Sequence, residues 1–162
     1  MVQTSVSRFQ VLGVPGEFAA DSPHRCAPYS CLANNGVAPT VARAFTQGTA
    51  DNEAIVGGTG AFLGVLVEPK QYANYANLNA SMEVNAGTNG EICDMGHIYI
   101  ASPTAVAPGY VAAFDPATGI ISGFKNAASI TEGYTQIPGK FIKVSAAANH
   151  VSILELGSFQ VA

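Results

Sequence analysis

The stretch Ser81–Gly119 constrains the fold more than any other part of the chain. It sets three short apolar segments, Ile92–Met95, Ile98–Ala101 and Tyr110–Phe114, between Gly, Pro and Asn residues. That spacing predicts consecutive strands of an antiparallel sheet or barrel. His97-Ile98-Tyr99-Ile100 is rich in β-forming residues, and Gly96 and Pro103 suit its two ends. Asp115-Pro116-Ala117-Thr118-Gly119 reads as a turn: Pro116 presets φ, Asp115 bonds its own backbone, and Gly119 accepts positive φ.

The rest of the chain extends the pattern. Residues 1–18 carry Val6, Phe9, Val11, Leu12 and Val14 without a helical stripe, and Pro15-Gly16 stops the segment. It reads as an extended arm or an edge strand. An arm of this kind adds itself to a neighbour's sheet edge through main-chain hydrogen bonds. Residues 19–162 read as a single β-barrel or sandwich domain. Ala19–Asn35 reads as irregular, because Pro23, Pro28, Asn34-Asn35-Gly36 and Pro39 interrupt it and its surroundings. Val41–Phe45 alternates as a short strand, Thr46–Glu53 is a polar turn or loop, and Gly57–Gly60 leads into a buried strand at Ala61–Val67. Glu68-Pro69 opens the one helix expected, of one or two turns or an irregular crossover. Ile120–Phe124 continues the hairpin from Phe114, Pro138-Gly139 makes a turn, and Phe141–Val144 and Val151–Leu156 are the last strands. Roughly seven to nine short strands with little helix suggest a sandwich or barrel.

Composition narrows the function. Charged residues make up 11% and apolar ones 48% of the chain, where soluble proteins carry roughly 25% charged residues. The longest apolar run, Ala61–Val67, contains Gly64 and is too short to span a bilayer. A small domain does not easily hide so much apolar surface, which points to partners covering part of it. The formal net charge is −4, and the seven basic residues form no run or stripe, a pattern that disfavours nucleic acid. The N-terminus lacks a secretory pattern, so synthesis in a cytoplasm is expected.

The order of several elements resembles the structural cement, or capsid decoration, proteins of tailed bacteriophages. Ala80-Ser81-Met82-Glu83-Val84-Asn85-Ala86-Gly87, then Gly96-His97-Ile98-Tyr99-Ile100, then Ala107-Pro108-Gly109-Tyr110-Val111-Ala112-Ala113-Phe114 followed by Thr118-Gly119 carry it. Pro15-Gly16-Glu17-Phe18-Ala19-Ala20 and Gly64-Val65-Leu66-Val67 add to it. The resemblance implies an all-β, jelly-roll-like β-barrel or sandwich with an extended N-terminal arm and little helix. It also implies a virion structural protein bound to the outside of the phage major capsid protein shell, self-associated as a homodimer or homotrimer at symmetry or quasi-symmetry axes. The three cysteines and the His24–Cys31 loop depart from the family's usual character.

Tests for chemistry lead away from catalysis. No Gly-x-Ser-x-Gly occurs, and His150 stands beside Asn149 and Val151 with no sign of a base's role. Gly57–Gly64 lacks the Gly-Lys-Ser/Thr ending of a phosphate loop and reads as a flexible hairpin entrance. Glu83, Glu91 and Asp94 lack the dense alternation of a calcium loop and read as a solvated loop. His24, Cys26, Cys31, Cys93 and His97 offer five nitrogen and sulfur donors, but the Cys26-x4-Cys31 spacing is looser than a zinc knuckle. The reading is therefore free, partly buried thiols in a reducing cytoplasm, with a local Cys26–Cys31 disulfide after lysis as the alternative.

The function expected is thus a cement protein that is not an enzyme, with no metal or cofactor, no nucleic acid and no membrane among its partners. Contact with the shell is expected from the arm Gln3–Phe18 and the segment Asp21–Pro39, through Val6, Arg8, Phe9, Val11, Phe18, Arg25 and Tyr29. The alternative is a ligand- or carbohydrate-binding β-barrel or adhesin module; six tyrosines are available for stacking, but there is no Trp.

Overall fold

A computed structural model describes residues 13–19, 23–67, 82–143 and 145–157. Within them the chain is all-β. Nine strands run in order: β1 Arg25–Leu32, β2 Ala44–Gln47, β3 Glu53–Val56, β4 Phe62–Leu66, β5 Asn89–Ala101, β6 Val111–Phe114, β7 Ile121–Phe124, β8 Thr135–Ile142 and β9 Val151–Leu156. A single 3-10 turn, Ala127–Ser129, is capped by Asn126. The arrangement is a barrel continued into a sheet, jelly-roll-like in the broad sense expected. The helix expected at Glu68-Pro69 lies outside the described residues. No described helix is long and apolar enough to cross a membrane.

β5 organises both halves. Its first part pairs with β4 on one side and β1 on the other, and the order β1-β3-β2-β4-β5 returns to β1 as a closed ring. A ring of five strands cannot alternate direction throughout, so one neighbouring pair must be parallel. That pair is β1 with β3. Closure pairs every ring strand on both sides over at least part of its length, which limits the exposed sheet edge in this half of the molecule. From Gly96 onward β5 leaves the ring and pairs with β9, and the sheet continues through β8 and β6 to β7. Gly96 sits at φ +141°, and an added Cβ there would approach His24 Cβ to 3.1 Å. The two segments expected as separate strands, Ile92–Met95 and Ile98–Ala101, are therefore one strand bent at its glycine.

Strand periodicity distributes the chain between two cores. Cys31, Phe45, Ala54, Val56, Leu66 and Ile92, drawn from all five ring strands, fill the ring's interior, with Val41 beside them. The alternate residues Ala44, Val65, Val67 and Cys93 point outward and join Ile98, Ile100, Phe114, Phe141 and Leu154 in a larger core against the second sheet. Each fully buried side chain such as Phe45 or Phe141 contributes about 1.5–3 kcal/mol by leaving water.

Four expectations need correction. Arg25–Leu32 is a regular strand rather than an irregular segment, despite Pro28. The Ser30 N–H points at β3, bonding Asn52 O, and the Cys31 N–H points at the β5 side, bonding Thr88 O. By alternation the Pro28 nitrogen faces the β3 side, where pairing begins only at Ser30. The missing donor therefore costs no ladder bond and blunts an open edge. Pro138-Gly139 lies inside β8 rather than making a turn. Val111 pairs with Lys140 but Ala113 pairs with Gln136, so β8 carries extra residues in a bulge at these positions. The strand expected at Val41–Phe45 begins at Ala44, because Ala42 takes a left-handed turn conformation at φ +65°. The loop expected at Thr46–Glu53 instead contributes its two ends to β2 and β3.

Candidate functional site

The N-terminal segment shows where part of the expected contact surface lies. Gly16 N–H donates to Tyr99 O, Tyr99 N–H to Glu17 O, and Ala19 N–H to His97 O. Phe18 bridges antiparallel to Ile98. Residues 16–19 thus extend the second sheet along the edge of β5 opposite β9. Phe18 packs against the larger core and stacks on His24, with ring centroids 4.3 Å apart. Val6, Arg8, Phe9 and Val11 lie outside the described residues.

Arg25 projects from the start of β1 and holds Asp94 of β5 through two hydrogen bonds, 2.7 Å from Nε and 2.6 Å from Nη2. Its side chain remains 69% exposed. The bonds to Asp94, and secondly its charge, raise the already high pKa of the guanidinium. Tyr29 lies further along β1 and packs against the ring's interior core. Phe18 and Arg25 are therefore brought to one region, around His24 and the bend at Gly96, while Tyr29 belongs to the other end of β1. Glu91 and Asp94, expected in a solvated loop, are strand residues of β5.

The five nitrogen and sulfur donors are divided. Cys26 and Cys93 are cross-strand partners joined by a disulfide. This corrects both the free-thiol reading and the local Cys26–Cys31 alternative. Residues 26 and 31 are an odd number apart, so their side chains leave opposite faces of β1. Cys31 is the free, buried thiol of the ring interior, and burial pushes its pKa up to about 11. His24 stacks on Phe18, and His97 Nε2 lies 3.9 Å from Glu155 Oε1. Among the described residues no three metal-capable side chains converge. The disulfide left no sequence signal, since its cysteines are 67 residues apart and only the register of β1 on β5 joins them.

A second feature stiffens the molecule. The Asp115–Gly119 turn forms as expected: Asp115 Oδ1 accepts from Ala117 N–H at 2.9 Å, Oδ2 accepts from the Thr118 hydroxyl at 2.8 Å, and Gly119 adopts φ +73°. The turn then docks on the ring. Gly58 N–H and Asn34 Nδ2 both donate to Pro116 O, Arg43 Nη1 donates to Thr118 O, and Ala44 N–H donates to Gly119 O. Gly57-Gly58, part of the Gly57–Gly64 run expected as a flexible hairpin entrance, is one face of this clamp. At the far edge of the sheet, Gly123 of β7 has its N–H facing the Ser102 and Thr104 hydroxyls at 3.2 Å, and its carbonyl accepts from Thr104 at 2.9 Å. These hydroxyls occupy groups that would otherwise invite another strand.

Comparison with known proteins agrees with this architecture. No curated protein matches the sequence. A chain from a structure titled "The capsid of Myoviridae Phage XM1" is similar in fold, with a TM-score of 0.66 at 13% identity and 98% of each chain covered. The family model for structural cement protein (E217 gp24/Pam3 gp6) matches residues 2–157. Matched over nearly its whole length, this chain belongs to the phage structural cement protein family and is a structural protein of the virion.

Proposed function

We propose that the protein decorates the outside of the phage major capsid shell and staples neighbouring capsomers against internal DNA pressure. The family match over residues 2–157 carries this reading. The chemistry is association rather than catalysis. One subunit burying about 800 Å² per partner forms a contact of ordinary size. A homodimer or homotrimer at symmetry or quasi-symmetry axes makes its later contacts intramolecular, which raises effective affinity by roughly 10²–10⁴. A staple transmits load only if it resists deformation. The closed ring, the shared strand β5 and the docked Asp115–Gly119 turn support that requirement.

The contact surface proposed is the N-terminal arm, through Val6, Arg8, Phe9, Val11 and Phe18, together with Arg25 and Tyr29 on β1. The protein is made in the host cytoplasm and ends on the outer capsid surface. The test is co-sedimentation of purified protein with undecorated, expanded shells of its own phage. Stoichiometric binding with raised heat resistance of the shell is expected, and absence of binding refutes the reading. Deletion of residues 3–12, which spares the segment paired to β5, is expected to weaken binding without unfolding the protein.

A further inference from the structure

Cys26 and Cys93 face each other across the β1–β5 ladder, the contact that closes the five-stranded ring. We propose that their disulfide is an oxidation-set clasp on this seam, made and opened through Cys26, with Cys93 as the resolving thiol behind it.

Three observations carry the proposal. First, the fold itself holds the two residues in register. They are flanked by the pairs Ala27 with Ile92 and, past a register shift, Arg25 with Met95, while the Arg25–Asp94 ion pair spans the same seam. The bond can therefore open and close without the strands separating. Second, the two sulfurs differ in access. Cys93 is fully buried in the larger core, whereas Cys26 is only partly buried and packs at that core's margin. Solvent thiols and disulfides reach Cys26 first. Third, no competing thiol interferes, because Cys31 is enclosed in the ring interior on the opposite face of β1. The pair therefore closes on itself without scrambling.

The chemistry balances with a low-molecular-weight disulfide, such as oxidised glutathione, as the oxidant. The Cys26 thiolate attacks one of its sulfurs, forms a mixed disulfide and expels one small thiolate. Cys93 loses its proton and attacks Cys26 Sγ, which expels the second small thiolate. Two protein thiols are oxidised to one disulfide, and the small disulfide is reduced to two thiols. A dithiol reductant reverses both steps, again entering at Cys26. Reducing cytosol keeps such pairs open and oxidising surroundings keep them closed. Only the place of the change, between synthesis and release of the particle, rests on the cement reading.

The test uses the isolated full-length chain, so its outcome is separate from that of shell binding. Peptide mapping of oxidised protein should recover a Cys26–Cys93 link and a free Cys31. In folded, reduced protein, iodoacetamide should label Cys26 about tenfold or more faster than Cys93. The urea midpoint of the oxidised form should exceed that of the reduced form, and a C26S/C93S variant should show no such redox dependence. Equal labelling of Cys26 and Cys93, a Cys26–Cys31 link, or equal midpoints of oxidised and reduced wild-type protein would each overturn the proposal. If the double variant does not fold, the labelling order and the wild-type midpoints still decide.

Discussion

Gly119→Ala tests whether the Asp115–Gly119 turn clamps the two halves of the molecule together. Two costs add. At φ +73° a residue with a Cβ loses about 1–2 kcal/mol relative to glycine. The new Cβ would also lie 2.8 Å from Ala44 O and 2.9 Å from Gly57 N, both backbone atoms of the ring. Neither can rotate away, so the turn must withdraw. Withdrawal breaks the bonds from Ala44 N–H to Gly119 O and from Gly58 N–H to Pro116 O, each worth about 0.5–1.5 kcal/mol. The expected loss is about 2–5 kcal/mol, or about 4–20 °C in Tm for a domain of this size. Gly133→Ala is the matched control. It sits at φ +90° with nothing within 4 Å of its added Cβ, so it carries the conformational cost alone, about 1–2 kcal/mol. Urea unfolding followed by circular dichroism measures both variants. If Gly119→Ala loses no more stability than Gly133→Ala, the docked turn does not clamp the halves and the reasoning fails.

Phe45→Ala, which empties the centre of the ring's interior, should lower stability by about 3–5 kcal/mol in urea unfolding. Arg25→Ala removes an exposed ion pair with Asp94; its urea midpoint should match wild type within experimental scatter, while retention on shells in the co-sedimentation assay falls. The raised pKa of Cys31, about 11 against 9.0 for an ordinary thiol, means the folded state favours the neutral form. That contribution is fully present below pH 9 and is lost as pH rises towards 11. Urea midpoints measured from pH 8 to 11 should fall more steeply for wild type than for Cys31→Ala, and parallel curves would exclude a role for this thiol.

Short-range chemistry was legible wherever a few neighbouring residues decide the outcome. Asp115, Pro116 and Gly119 form their turn through bonds within five positions of each other. Ser152, Leu154 and Leu156 of β9 face the core as their alternation requires. The proposed contact surface was less legible. Of its seven residues, Phe18, Arg25 and Tyr29 fall on described strands or edges, and each already serves its own chain through Ile98, Asp94 and the ring core. Pro28 and Pro138 both lie inside strands, Pro28 because β1 has no partner on that side there and Pro138 because β8 bulges there. Sequence displays neither the side nor the bulge.

The chain by itself determined an all-β protein of short strands, its principal turn and the family to which it is similar, because alternation and turn chemistry act over a few residues. Tertiary structure alone decided that β1 closes a ring on β5, that Cys26 meets Cys93 rather than Cys31, and that the Gly57–Gly60 segment receives the Asp115–Gly119 turn. Each of these joins residues far apart in sequence. Their pairing is set by strand register and by burial of both faces of β2, β4 and β5, which exist only once the whole sheet has assembled.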